Sequence, residues 1–501
     1  MAVSRMLRIH TSVPVRLGLI AALGLVAAEV ATYWDDSWHT DRGRDEFAIP
    51  PHLLLYGGVL LASLAIAAWA LLAWRSVGLS GIRTVLHDPA MRLAATGGVT
   101  TLASAFVDNW WHASFGRDAV LWSPPHLTAV AGTLALVVGL SAGLRSTTGT
   151  GAQTARLFAG AGIIGALQIL VLEYDSGVPQ FSTKWFLPVA TFALCVAVAL
   201  MDDLLPGRWA PAKAALLYTI LRAGTVALLA ALGFSLTVVP PVLPLLLVLG
   251  ALAFLQLAVR LVLLGALSPL LWWLFLQVQS DVTTTVPIAE LPTAVLLGVA
   301  GAILVALIHG DLRRGPLTRA ATRVTLVLGL LTLVVVNTPD DAWAHDPGQG
   351  TEVRKVHLTV TRASGVAELK VLISGSCAGF EPVRVAARRA GGTQFGELSI
   401  STRRNSGCLA TGKVTGLTPG RWFVYAELRS PDGAALESWL PVDESTTKTA
   451  IRSLYEPPRP GRSSSAQEGA VGGILLVIIA ASLIGCLRLA RQASRSPSSA
   501  G

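Results

Sequence analysis

For its first 340 residues the chain alternates long apolar runs with short charged loops. A run of about 20 apolar residues crosses a membrane as a helix. Twelve such runs are read, at about 15–34, 52–74, 91–110, 126–144, 157–173, 185–201, 214–234, 239–259, 261–279, 291–309, 324–342 and 470–488. The stretch 214–279 is the least regular, because Arg222, Arg260 and three prolines (Pro240, Pro241, Pro244) interrupt it. A charge inside a span is costly and faces the bundle interior. Residues 1–16 carry Arg5, Arg8 and Arg16 ahead of the apolar Leu17–Ala31, a signal-like order. The reading preferred here is a retained first helix, since this segment is one half of a repeat described below.

The period changes from residue 345 to 460. Apolar and polar residues alternate in short runs, as in Val356–Val360, Ala367–Ile373, Val383–Ala387 and Trp422–Leu428, divided by turns such as Pro431-Asp432-Gly433. That pattern predicts roughly seven short strands in a β-sandwich. The stretch from Leu417 to Tyr425 resembles the late strands of fibronectin type III or immunoglobulin-like domains. The expected fold class is therefore an all-α polytopic membrane bundle with an inserted β-sandwich. Four parts follow: residues 1–200 with two polar hairpins, 201–344 with further spans, the strand domain 345–460, and 461–501 with a last span and a tail.

Composition agrees with this. Of 501 residues 52% are hydrophobic and 14% charged, with mean hydropathy +0.60, outside the range of soluble domains. The net charge of +9 lies mostly in short loops rather than on a nucleic-acid-binding face. Those loops (Arg75 and Arg83, Arg145–Arg156, Arg208–Lys213, Arg313–Arg323, and the tail with Arg488, Arg491 and Arg495) fall on one side when twelve spans alternate. The positive-inside rule makes that side cytoplasmic. The strand domain and the acidic segments with Glu173, Asp175 and Asp281–Glu290 then lie outside the cytoplasm, in a bacterial cell membrane. There Cys377 and Cys408, the two cysteines of the strand domain, are expected to form a disulfide. Cys195 and Cys486 fall within spans and read as small buried apolar residues. Ala342-Trp343-Ala344 before His345 matches a processing tripeptide, but reads more simply as the end of a span.

The candidate chemistry sits in one of the loops and its echo. Asp35–His52 reads DDSWHTDRGRDEFAIPPH, and Asp108–His126 reads DNWWHASFGRDAVLWSPPH. Both run Asp, His four residues on, an Arg-Asp pair, then Pro-Pro-His. Four of the nine histidines lie in them. Asp and His four apart share one helix face, and prolines suit a first helical turn. A helix end and the next helix start therefore converge. Asp35, His39 and His52 form one candidate set of metal ligands, and Asp108, His112 and His126 a second. One carboxylate with two imidazoles suits copper, zinc or iron and leaves coordination positions open. Arg44-Asp45 and Arg117-Asp118 would orient those ligands. The same residues also suit helix caps at a membrane surface.

The first motif resembles the C-type polypeptide of the copper membrane monooxygenases, the particulate methane and ammonia monooxygenase family. The match covers Asp35, Ser37, Trp38, His39, Arg44, Asp45, Pro50 and His52. The family also has a second set at the spacing of Asp108, His112 and His126, led there by Asn. The resemblance spans roughly residues 15–200. It implies copper at Asp35, His39 and His52, with zinc an alternative, and A- and B-type monooxygenase subunits as partners in an oligomer. It also implies oxidation of a small apolar molecule by dioxygen. The chain departs from the family in its number of spans, its fused strand domain, and a carboxylate where an amide is usual.

No haem, flavin or iron–sulfur motif is present, so electrons would come from a partner or a quinol. Trp34, Trp38, Trp110, Trp111, Phe115 and Trp122 are candidates to line an apolar pocket, or to form an interfacial belt. The strand domain has no Cys/His/Met ligand cluster, and is not read as an electron-transfer domain. The catalytic residues are not assigned. Two other functions remain: copper acquisition or delivery across the membrane, with Arg222, Arg260 and Glu173 marking a path, and a membrane anchor for the strand domain. No phosphate-binding loop, hydrolase or nucleic-acid motif is found.

Overall fold

The computed structural model describes residues 12–42, 47–78, 83, 85, 87–115, 122–176, 183–234, 254–278, 284, 286–314, 351–374, 379–389, 392–403, 407–456 and 465–495. The helices are α1 (Val15–Arg42), α2 (Pro50–Val77), α3 (Pro89–Phe115), α4 (Pro124–Leu144) and α5 (Ala152–Gln168), the last continued by a 3-10 turn and the short α6 (Leu172–Ser176). They continue with α7 (Phe186–Leu204), α8 (Ala210–Ala231), α9 (Leu257–Val278), α10 (Leu291–Arg314) and, after the strands, α11 (Ser465–Arg495). Among the described residues nine helical segments are long and apolar enough to cross a membrane, and α3 is a tenth long helix. The expected spans at 239–259 and 324–342 fall largely or wholly outside the described residues.

Small residues let the helices pack closely. A Cβ placed on Gly24 of α1 would come within 2.5 Å of the Gly58 carbonyl oxygen on α2. A Cβ on Gly97 of α3 would lie 2.6 Å from the Gly132 carbonyl oxygen on α4. Gly24 and Gly97 are offset in sequence as Asp35 and Asp108 are, and Gly58 and Gly132 as His52 and His126 are. The repeat is therefore two whole hairpins, each crossing at a glycine pair, as in membrane helix packing.

At the end of the bundle away from the motifs, α4, α7, α10 and α11 meet through buried ions. Arg491 of α11 lies 3.3 Å from Asp203 Oδ1, and His309 Nε2 lies 3.0 Å from Asp203 Oδ2. Arg491 also donates to His309 Nδ1. An arginine only donates, so Nδ1 accepts and Nε2 carries the proton given to Asp203. Arg145 Nη1 donates to the Asp203 carbonyl at 2.6 Å. Breaking a buried ion pair from one side costs about 3–5 kcal/mol. Asp203→Ala is therefore expected to release α11 first. Limited proteolysis of the detergent-solubilised protein reads this, and cleavage of α11 at the wild-type rate contradicts it.

The strand domain departs from the expected sandwich of about seven strands. Eight strands form: β1 (Thr351–Ala363), β2 (Val366–Ser374), β3 (Glu381–Arg389), β4 (Gly392–Arg403), β5 (Gly407–Thr415), β6 (Trp422–Arg429), β7 (Ala435–Val442) and β8 (Thr447–Glu456). They pair in the antiparallel order β1-β2-β5-β4-β3-β6-β7-β8 and close as a barrel. The eighth strand makes the difference, because β8 pairs β1 from Thr361↔Thr447 to Thr351↔Glu456 and touches β7 at Glu437↔Tyr455. The architecture is thus the expected helical bundle with a strand domain, the latter a closed antiparallel barrel where a sandwich was expected. The alternation seen in sequence is kept, since Val356, Leu358, Val360, Leu369, Val371, Val424 and Leu440 fill the interior. The β6–β7 hairpin turns at Gly433 with φ +82°, a conformation glycine adopts without strain.

Candidate metal centre

Asp35 and His39 lie one turn apart near the end of α1, on one face as their spacing requires. Pro50 and Pro51 open α2, with Ile49 extended before them, so His52 stands in its first turn. The three side chains converge. Asp35 Oδ1 is 3.5 Å from His39 Nε2 and 3.2 Å from His52 Nε2. The three ligand atoms lie within 4.8 Å of one another. Two donors bound to one ion at about 2.1 Å with tetrahedral angles stand about 3.4 Å apart. Both separations from Asp35 fit that value. His39 is buried and its ring lies 6.4 Å from that of His52.

The second motif assembles the same way as far as it is described. Asp108 of α3 lies 3.3 Å from His126 Nε2 at the start of α4. Ser123 caps α4 and places its hydroxyl 3.0 Å from His126 Nδ1, which turns Nε2 toward Asp108. Ile49 is in the equivalent place of the first motif and makes no such cap. His112 follows Asp108 by one turn of α3, and its side chain lies outside what the structure describes. Arg44, Asp45, Arg117, Asp118 and Cys377 also fall outside the described residues. Cys408 is buried at the start of β5, opposite Ile373.

Both motifs open on one cavity of about 140 Å³. Asp35, His39 and His52 line it, as do Asp108 and His126. Asp36 and Glu173 join them, both nearly fully buried, at 6% and 2% exposure. The described lining therefore carries four carboxylates and three imidazoles, with no lysine or arginine. Buried carboxylates are paired or hold cations, and here imidazoles stand against two of them, His39 and His52 at Asp35 and His126 at Asp108. The remaining wall is mainly apolar, with Leu55, Val59, Leu102, Val130 and Leu172.

Two features of the cavity do not follow from the motifs. Their pattern gives no reason to include Asp36, which directly follows a ligand. In the sequence Glu173 reads as part of an acidic segment and as one marker of a path through the bundle, and it reaches the cavity because α5 and α6 pack beside α1 and α4. The tryptophans, in contrast, do not line the cavity. Trp34 and Trp38 form an aromatic cluster with Phe234, at ring separations of 6.0 to 6.2 Å. Trp122 donates to the Leu170 carbonyl at 3.2 Å. Trp110 is half exposed and Trp111 is buried. The side chain of Phe115 lies outside what the structure describes.

Compared with known proteins, the chain matches no family model, no curated protein and no solved structure.

Proposed function

We propose that this chain is a copper-binding membrane protein whose Asp35, His39 and His52 hold one ion at the wall of an acidic cavity. The observation that carries the reading is the convergence of the trio, whose three ligand atoms lie within 4.8 Å of one another at the wall of that cavity. Zinc satisfies the same donors, and the resemblance to the C-type polypeptide of the copper membrane monooxygenases favours copper. When bound, copper supplies one-electron chemistry with dioxygen. The residues of the chain do the rest. Asp35 balances the ion's charge, the two imidazoles set its geometry, and the apolar wall of Leu55, Val59 and Leu102 admits a small apolar substrate. Asp108 and His126 lie on the facing side of the cavity, and the spacing of His112 makes it the third member proposed for that set.

The proposed sidedness is argued from charge. Arg75, Arg145, Arg156, Arg208, Lys213 and Arg491 lie at helix ends away from the motifs, and by the positive-inside rule this supports an extracytoplasmic side of a bacterial cell membrane for the motifs and the barrel. A Cys377–Cys408 disulfide belongs to the same reading. The strand orders β1-β2-β5-β4 and β3-β6-β7 are those of the two sheets of an immunoglobulin-type sandwich, which supports kinship with that class closed by an eighth strand. A- and B-type monooxygenase subunits, in an oligomer within lipid, are the partners this reading implies. No nucleic acid is involved.

A second reading, copper acquisition or delivery, is favoured by one observation. Arg222 of α8 is fully buried, with its guanidinium 3.3 Å from the Tyr33 ring centre, less than one turn before Asp35. Charge this deep in a bundle marks an ion path in many membrane proteins.

Metal analysis of the membrane-purified full chain tests the proposal. About one copper per chain or more is the expected result, and none after copper supplementation sinks it. Vesicle-based copper uptake separates the two readings: oxygen consumption without uptake supports the enzyme, and uptake without oxygen consumption supports transport.

A further inference from the structure

The barrel touches the bundle at one informative place. Arg452 of β8 is buried, at 5% exposure. Its Nη2 donates to the Thr40 carbonyl at 2.8 Å, and its Nη1 donates to the Asp41 carbonyl. Its Nε reaches the Trp439 carbonyl at 3.3 Å, and the guanidinium lies over the Trp439 ring at 5.5 Å. Beside it, Lys448 Nζ lies 3.5 Å from Asp41 Oδ1. Burial lowers the pKa of that lysine, and the Asp41 carboxylate opposes the shift.

The last carbonyls of a helix have no partner within the helix. A cation placed there satisfies them and complements the negative end of the helix dipole. For α1 that cation comes from a strand more than 400 residues away. Thr40 directly follows His39, and Asp35 lies one turn earlier. The turn that Arg452 caps is therefore the turn that carries the trio's middle ligand. Helix ends fray readily when uncapped, and a frayed last turn swings His39 away from Asp35 and His52.

We infer that Arg452 is a positioning residue for the metal trio, and that the barrel acts as a clamp coupling its own docking to metal binding. This rests on the metal-binding reading proposed above. Coupling is reciprocal, so metal at the trio also tightens the barrel against α1.

The test uses the full chain in lipid nanodiscs, with Cu(I) as the probe, in competition with a chelator of known affinity. Hydrogen exchange at residues 36–42 is followed in parallel. Arg452→Met keeps the apolar stem and removes the donors. Groups that orient metal ligands typically change affinity 10- to 100-fold, so R452M should bind Cu(I) weaker by about that factor and exchange faster at 36–42. Arg452→Lys should recover part of both losses. Added Cu(I) should slow exchange at 36–42 in the wild type and much less in R452M. Lys448→Gln, at a partly exposed position, leaves the barrel intact and should weaken Cu(I) binding in the same direction by a smaller factor. It keeps the inference testable if R452M misfolds. Wild-type Cu(I) affinity and exchange in both R452M and K448Q would overturn the clamp. Should the wild type bind no Cu(I), the metal reading fails and the coupling with it. Faster exchange at 36–42 in R452M would then still establish the cap.

Discussion

Replacing His39 by alanine should remove about one copper ion per chain from the purified protein. His39 is the buried member of the trio, and Asp35 Oδ1 is 3.5 Å away. Its loss leaves Asp35 and His52, 3.2 Å apart, as a two-donor set. Changes to groups that only orient ligands cost 10- to 100-fold in affinity, so loss of a ligand should cost more than about 100-fold. Elemental analysis and chelator competition measure it. Asp108→Ala on the facing side should leave the first ion in place, which separates loss at one site from collapse of the cavity. If H39A retains its metal at wild-type affinity, the trio is an ion-pair cluster and the copper assignment falls. His39→Gln is the companion variant. It keeps the helix and much of the volume, so retained folding with lost metal isolates the ligand's role.

Gly97→Leu should be strongly damaging although it lies outside the cavity. A Cβ there would lie 2.3 Å from the Leu136 backbone nitrogen and 2.6 Å from the Gly132 carbonyl oxygen. These are backbone atoms of the facing helix, and no rotamer change relieves them. Helices α3 and α4 would have to part by about 1 Å. Overpacking costs about 1–3 kcal/mol where side chains can adjust, and more is expected where they cannot. Separation would also carry Asp108 away from His126. Gly24→Leu should do the same to α1 and α2, where the Gly58 carbonyl oxygen stands 2.5 Å from the added atom. Gly57 is the control, since nothing lies within 4 Å of a Cβ built there. Gly57→Ala should be neutral or slightly stabilising, because alanine is the better helix former. Yield of folded protein in the membrane and its thermal aggregation temperature measure all three. Equal values for G97L and G57A would show that the tight crossing has no energetic weight.

Much of this molecule is legible in its residues alone. Long apolar runs do not depend on their neighbours to be helical, because in a membrane an unpaired backbone group has no water to turn to. The positions of α1, α2, α4 and α7 follow for that reason. Alternating apolar residues at Val356–Val360 or Ala367–Ile373 leave only a strand with one face buried. The Asp35–His39 pair is a consequence of helical pitch, and the Pro-Pro-His entry of chain direction. Local rules suffice for each of these.

Other features depend on which surfaces meet, and no local rule supplies that. Glycines occur throughout apolar helices, and only the crossing of α1 with α2 and of α3 with α4 shows that Gly24 and Gly97 carry the packing. The strand count alone does not say whether sheets stay open, and the pairing of β8 with β1 decides for a barrel. Glu173 reaches the cavity because of how α5 and α6 lie beside α1. Arg452 reaches the end of α1 from the far end of the chain, a contact of long sequence separation that no spacing encodes. Backbone hydrogen bonding and helical pitch act over a few residues, so they settle the helices, the strands and the pairing of Asp35 with His39 wherever those residues occur. Burial of charge and close packing act between residues far apart in the chain, so it took the assembled bundle to bring two motifs to one acidic cavity and to set the barrel at its edge.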